Sequence, residues 1–284
     1  MVLHHLRIFQ NVIVLIFQSL HIENEDQKYF NDWAKMRKVI IITGANRGIG
    51  LACARLFLDK AYNVALLGRN YDDLVKVSLG YANALPICCD VTKDRNIKNA
   101  FNEVLDKWGR LDVLFNNAGI SFPETRIDKV TSRDWRKIIN VNLTGAFICA
   151  REAFRIMVNQ VPQGGRIINN GSISAKVPRL GTVAYTSSKH AITGLTKAIA
   201  LDGRNLNIVC SQIDIGNANT AMVQKINKNI ASQKTITPTP KKEEPTMDVV
   251  HVANSVLHIA ELPLDANIQY MTILANKMPF IGRG

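Results

Sequence analysis

The chain has 284 residues, 47% of them hydrophobic and 20% charged, with a mean hydropathy near zero and a formal net charge of +12. At roughly 100–200 residues per domain, that length makes one large domain or two small ones with a proper core, and the composition excludes a disordered, collagen-like or polytopic membrane chain. The positive excess is spread out, with no run of five basic residues and no basic-aromatic stripe, which excludes a nucleic-acid groove and points to small polyanions or an acidic protein partner.

In chain order, Leu6 to Leu20 is an apolar stretch broken by Gln10, Asn11 and Gln18. It falls short of the ~20 apolar residues of a membrane span, and Ser19 to Asn24 offers no small-residue cleavage site. Met36 directly precedes the first strand-like run, so residues 1–35 read as an extension ahead of a domain at 36–284 rather than as an interfacial amphipathic helix. From there, apolar runs of strand length alternate with segments of helical period. Strands are expected at Val39–Thr43, Asn63–Leu67, Ala84–Cys88, Val113–Asn116, Arg166–Asn170, Leu206–Gln212 and Gln269–Ala275. Helices are expected at Ile49–Lys60, Tyr71–Leu79, Arg95–Trp108, Ser132–Val158, Val183–Gly203 and Met247–Ala260. Runs such as Val39-Ile40-Ile41-Ile42 are continuously apolar, as when neither sheet face meets water. The alternation predicts an α/β chain with a doubly wound parallel sheet, a Rossmann fold in a single domain. Ala231 to Thr246 is polar and contains Pro238, Pro240 and Pro245, which rules out a core element. A lid loop is expected over 217–246.

Chemistry begins where the first strand meets the first helix, at Thr43-Gly44-Ala45-Asn46-Arg47-Gly48-Ile49-Gly50. Glycines there let the chain turn sharply and let backbone N–H groups approach a diphosphate, and the helix N-terminus favours an anion. Taken alone, such glycines also suit a plain tight turn. The G-x-x-x-G-x-G spacing makes Gly44, Asn46, Arg47, Gly48, Ile49 and Gly50 candidate dinucleotide contacts. Nineteen residues beyond Gly50, where an acid would hold the ribose hydroxyls of NAD, stands Arg69, with no acid until Asp72. A guanidinium fits a 2′-phosphate bidentately, and Arg47 can close over the same group, so NADP(H) is the expected cofactor. Further on, Tyr185 and Lys189 are four apart and share a helical face, with Ser172 thirteen residues earlier, past a strand end. A phenol is a poor acid at neutral pH, and a neighbouring ammonium favours its ionised form. Ser172 can then donate to a substrate oxygen. Tyr-x-x-x-Lys alone is a weak signal, common on ordinary amphipathic helices; agreement with the glycine turn and the serine makes it informative.

In this combination the stretch from about Lys38 to Ala275 resembles the classical short-chain dehydrogenase/reductase family. The resemblance implies that Asp90 and Val91 contact adenine, and that Asn116-Asn117-Ala118-Gly119 ends the fourth strand and steadies the sheet beside the cofactor. It implies that Asn142 sits at a helix kink holding a proton-relay water, completing a catalytic tetrad with Ser172, Tyr185 and Lys189, and that Tyr185 and Lys189 also contact the cofactor, Lys189 holding the nicotinamide ribose. Ile215-Gly216 stands where the family carries Pro-Gly, with Thr220 at the family's distance. Gly216 and Thr220 thus remain cofactor contacts while the rigid φ of proline is lost, which puts the lid's placement in question.

The function implied is an NADPH-dependent oxidoreductase that reduces a carbonyl compound to an alcohol, or runs in reverse. Pocket walls are expected from Ser121–Ile127, Ser174–Gly181 and Asn217–Thr246, where Pro178, Leu180, Val183 and Met222 suit a compact, partly apolar substrate. The basic excess also admits an acyl group on an acidic carrier protein, so a 3-oxoacyl reductase and a generic small carbonyl reductase both stay open. The cysteines Cys53, Cys88, Cys89, Cys149 and Cys210 show no C-x-x-C pair, which points to a reducing, cytoplasmic compartment. His4, His5, His21, His190, His251 and His258 show no paired ligand spacing, and no metal is expected. Neither nucleic acid nor a membrane span is expected, and the family implies a homo-oligomer built on the helices at Ser132–Val158 and Val183–Gly203. Two rivals remain. A non-catalytic NADP(H)-binding sensor or scaffold of the same fold would usually lose one tetrad member, whereas this chain keeps all of them. An NADP-dependent epimerase or dehydratase would share Tyr-x-x-x-Lys but carry a sugar-nucleotide domain after Thr246.

Overall fold

The computed structural model describes residues 37–220 and 245–281; from Lys38 onward these belong to the unit Lys38–Gly284. The expectations for residues 1–35, for 221–244 of the lid and for Met222 lie outside the described residues.

Strands β1 (Val39–Thr43), β2 (Asn63–Gly68), β3 (Ala84–Cys88), β4 (Val113–Asn116), β5 (Gly165–Asn170), β6 (Ile208–Ile215) and β7 (Tyr270–Ile273) form one sheet in the order β3-β2-β1-β4-β5-β6-β7. Every neighbouring pair is parallel. The helices are α1 (Gly48–Asp59), α2 (Tyr71–Ser78), α3 (Asp94–Trp108), α4 (Ser132–Ile139), α5 (Ala146–Asn159), α6 (Val183–Asp202) and α7 (Val249–Glu261). Parallel strands need crossovers, and the helices supply them on both faces, which is why the strands carry no polar face. In β1, Ile40 and Ile42 join a core with Phe57 of α1 and Val252 and Val256 of α7. Val39 and Ile41 join a second core with Phe101 of α3 and Cys149 and Met157 of α5. Each large side chain so buried contributes about 1.5–3 kcal/mol.

The chain winds outward from β1 to β3 and then returns across the sheet to β4. The connections leaving β1 and β4 therefore run in opposite directions and open a crevice at the strand C-termini.

Three expected elements differ, the last strand least, being Tyr270–Ile273 in place of Gln269–Ala275. The continuous helix at Ser132–Val158 is instead α4, a π-helical turn at Asn140–Gly145, and α5. The break is held by tertiary contacts: Asn142 hydrogen-bonds the backbone of Ile120, and Gly145 lies so close to the Val91 carbonyl that a Cβ would not fit. The sixth strand starts and ends later than Leu206–Gln212. Arg204–Leu206 forms a 3₁₀ turn closed by Asn207 at φ +54°, and the strand continues through the buried Asp214 to Ile215. A charged residue normally ends a buried strand; here one carboxylate oxygen accepts two internal hydrogen bonds and the other faces the Lys176 ammonium at 3.4 Å.

Candidate active site

The turn after β1 needs residues without a Cβ. Gly44 and Gly48 stand at φ +66° and +55°, in the left-handed region, and a Cβ on Gly50 would land on the Gly44 carbonyl oxygen. At the start of α1, Arg47 is extended, no side chain caps the helix and no acid stands in its first turn. Its N-terminal field thus meets the crevice with no carboxylate of the helix's own first turn to compete.

Side-chain bonds lace the ends of β1 and β4 together. Thr43 Oγ1 accepts the N–H groups of Asn117 and Ala118, both at 2.9 Å, while Asn117 Nδ2 donates to the Thr43 carbonyl at 2.9 Å. The lacing continues laterally. Asn170 Nδ2 donates to Asn117 Oδ1 at 2.9 Å, and Lys189 Nζ donates to the Asn170 carbonyl at 2.7 Å. Lys189 is buried, and its ammonium lies 5.7 Å from the centre of the Tyr185 ring. Tyr185 and Lys189 thus share one side of α6, as their spacing requires.

These groups surround one cavity of about 250 Å³. Among the sequence-predicted residues, Gly44, Asn46, Arg47, Gly48, Ile49, Arg69, Asp90, Val91, Asn117, Ala118, Gly119, Tyr185, Lys189, Gly216 and Thr220 all line it. Gly50, Asn142 and Ser172 are buried and are not among its lining residues. Asn142 spends its side chain on structure: Oδ1 accepts the Ile120 N–H at 2.8 Å, and Nδ2 donates to the Ile120 carbonyl at 2.9 Å and to Ser188 Oγ at 3.3 Å. Ser172 is extended at the start of the Ile173–Ala175 turn, and its Oγ accepts the Ser174 N–H at 3.1 Å. That bond uses the oxygen as acceptor and leaves the hydroxyl proton to be donated elsewhere.

Sequence reasoning missed Asn170, Cys89 and Asp73. Asn170 had a findable signal, a polar residue closing an apolar strand. Asp73 Oδ2 accepts from Asn70 Nδ2 at 2.8 Å and from Asn46 Nδ2 at 3.5 Å, so an acid does approach the glycine turn, from α2. The Cys89 thiol in the cavity wall is pushed up to about 12 by burial, then by the charge of Asp90 and by Cys88. A smaller cavity adjoins Tyr185, lined by Ser121, Phe122, Pro123 and Thr125 and by Val130, Ile138 and Val183. Of the expected wall residues, Val183 is there, while Pro178 and Leu180 are exposed. The described residues on either side of 221–244 meet: Ala218 and Met247 form a parallel bridge, with the Asn219 N–H on the Met247 carbonyl at 2.7 Å. Among the described residues no helix is long and apolar enough to cross a membrane, and no cluster of His, Cys, Asp and Glu could hold a metal ion.

The sequence matches the short chain dehydrogenase family over residues 38–231. It is similar to secoisolariciresinol dehydrogenase of Forsythia intermedia, 33% identical over 230 residues that cover 78% of this chain and 82% of that protein. The structure of ElxO with NADP bound is 28% identical, with a TM-score of 0.73 over 84% of this chain and 97% of that one. The 3-ketoacyl-(acyl-carrier-protein) reductase from Brucella melitensis complexed with NADH shares the fold at 21% identity, with a TM-score of 0.74 over 84% and 98% of the two chains.

Proposed function

Since the chain belongs to the short-chain dehydrogenase family, and is thereby an oxidoreductase of alcohol and carbonyl groups using a nicotinamide dinucleotide, we propose that it reduces a compact carbonyl compound with NADPH, or runs the reverse oxidation. The observation that carries the reading is the Tyr185–Lys189 pair in the wall of the same cavity as the glycine turn. The residues fit a dinucleotide: the left-handed glycines leave room for a diphosphate against the helix N-terminus, and Arg47 and Arg69 lie on the lining of the same cavity. The bound cofactor would supply or accept the hydride.

The side chains divide the remaining work. Ser172 donates its free hydroxyl proton to the carbonyl oxygen and orients it. Tyr185 protonates that oxygen as negative charge develops, and Lys189, fixed by the Asn170 carbonyl, stabilises the charge left on the phenol oxygen. Because the Asn142 side chain is committed to Ile120 and Ser188, the π-helical turn would hold a relay water through backbone carbonyls. Arg69 and Arg47 would grip the 2′-phosphate. Asp73, bonded to Asn70 and 3.9 Å from the Lys76 ammonium, already has its charge engaged and opposes this little. Asp90 and Val91 would contact adenine. Gly216 and Thr220 would stand near the nicotinamide.

The smaller cavity beside Tyr185 is mostly apolar and suits a short aliphatic substituent. The test is NADPH consumption with 2,3-butanedione, cyclohexanone and an acetoacetyl thioester, the last probing an acyl group from an acidic carrier. Tyr185→Phe is expected to abolish turnover and leave NADPH affinity within about twofold, because the lost proton donor acts in the chemical step alone. Turnover retained by the variant would remove Tyr185 from its role.

A further inference from the structure

Behind the candidate site lies a charged group that the mechanism above does not use. Asp214 of β6 is completely buried. Its Oδ1 accepts the backbone N–H of Ser172 at 3.1 Å and Gln212 Nε2 at 2.6 Å. Its Oδ2 accepts no hydrogen bond but faces the ammonium of Lys176 at 3.4 Å. That ammonium also donates to Thr272 Oγ1 of β7 at 2.9 Å. Gly171 makes the approach possible, since a Cβ there would land on Asp214 Oδ1. The segment from Gly171 to Lys176 therefore wraps one carboxylate, held near its start by a peptide N–H and at its end by a cation.

We propose that Asp214 is the positioning residue for Ser172, and that Lys176 is the counter-charge that lets a carboxylate perform this task inside the core. A charged acceptor attracts a peptide N–H more strongly than a neutral one, so it holds the Ser172 backbone in the extended conformation that starts the Ile173–Ala175 turn. The turn in turn places the Ser174 N–H on Ser172 Oγ, and that bond aims the hydroxyl proton. Gln212, itself donating to Thr193 Oγ1 at 3.1 Å and accepting from Thr196 Oγ1 at 3.3 Å, ties the carboxylate to α6, which carries Tyr185 and Lys189. One buried acid thus references the serine to the helix of the tyrosine. Without the Lys176 ammonium the carboxylate would be an uncompensated buried charge, which proteins do not tolerate.

The inference rests on the role proposed for Ser172. It is tested with full-length Asp214→Ala and Asp214→Asn, following NADPH consumption on the first carbonyl compound that the wild-type chain reduces, with NADPH binding read by its fluorescence. Asp214→Ala is expected to lower kcat about 10²-fold, the scale of a reacting group displaced by about 1 Å, with NADPH affinity within twofold. Asp214→Asn, which keeps an acceptor for the Ser172 N–H, is expected to recover kcat to within about fivefold of wild type. Should Asp214→Ala fail to bind NADPH, the reading passes to Asp214→Asn and Lys176→Met. Lys176→Met is then expected to lower kcat more than Asp214→Asn, because it leaves the charge unpaired. Wild-type kcat in Asp214→Ala, equal losses in both Asp214 variants, or in the fallback a Lys176→Met loss no larger than that of Asp214→Asn, would overturn this inference and leave the proposed function standing. Absence of turnover in the wild-type chain overturns both.

Discussion

Arg69 and Asp90 line the same cavity, and the charge of one acts on the other. Burial raises the Asp90 carboxyl, but the N–H and hydroxyl of Thr92, at 2.9 and 2.8 Å, and the charges of Arg69 and Lys93 overcome it and hold the group below the ordinary carboxylate range. A carboxyl lower in the folded than in the unfolded state adds stability that is present above about pH 4 and lost on acidification. Asp90→Asn is therefore expected to unfold at lower denaturant concentration than wild type at pH 7, the gap closing as the pH falls through the carboxylate range. For the cofactor, a guanidinium on a 2′-phosphate makes charge-assisted bonds of about 1.5–3 kcal/mol. Arg69→Gln should then raise KM for NADPH by roughly 10- to 100-fold while leaving KM for NADH nearly unchanged; equal effects on both would refute the assignment of Arg69.

At the scale of elements, the break between α4 and α5 is the informative feature. Neither half of Ser132–Val158 contains a proline, and its apolar periodicity is continuous, so the pattern reads as one helix. The π-helical turn persists because Asn142 satisfies both the N–H and the carbonyl of Ile120, in the segment that follows β4. Asn142→Ala would leave those part-buried groups without their protein partner, a loss of up to about 1–3 kcal/mol each. The variant should lose that much in urea denaturation, and kcat should fall with it, since the turn's carbonyls shift. A stability equal to wild type would show that the turn does not depend on Asn142. The glycine turn teaches the converse lesson. Its φ values are ones that only glycine adopts readily, so the residue type at Gly44 and Gly48 is itself the mark of the turn.

For the whole molecule, the crevice is a property of winding order. It opens where β1 and β4 lie side by side though far apart in sequence, and a dinucleotide there would touch residues from Gly44 to Thr220. A ligand that binds only the folded chain stabilises it by mass action, about 2.7 kcal/mol at a hundredfold excess over Kd. NADPH at that level should raise Tm by roughly 5–10 °C for a chain of this size. Dialysing it away should restore the lower value, and Tyr185→Phe should show the same shift. No shift would count against the cavity as a dinucleotide site.

Sequence alone determined what depends on near neighbours or on period. The strands are read from continuous apolar runs, the anion-facing turn from its glycines, and the shared face of Tyr185 and Lys189 from four-residue spacing, because backbone geometry dictates each within a few residues. Tertiary structure alone decided what depends on residues distant in the chain. The π-helical break, the run of bonds from Thr43 through Asn117 and Asn170 to Lys189, and the seating of Asp214 behind Ser172 all join partners 19 to 74 residues apart. A hydrogen bond of that kind leaves no periodic trace, since its energy depends on three-dimensional proximity and not on separation along the chain.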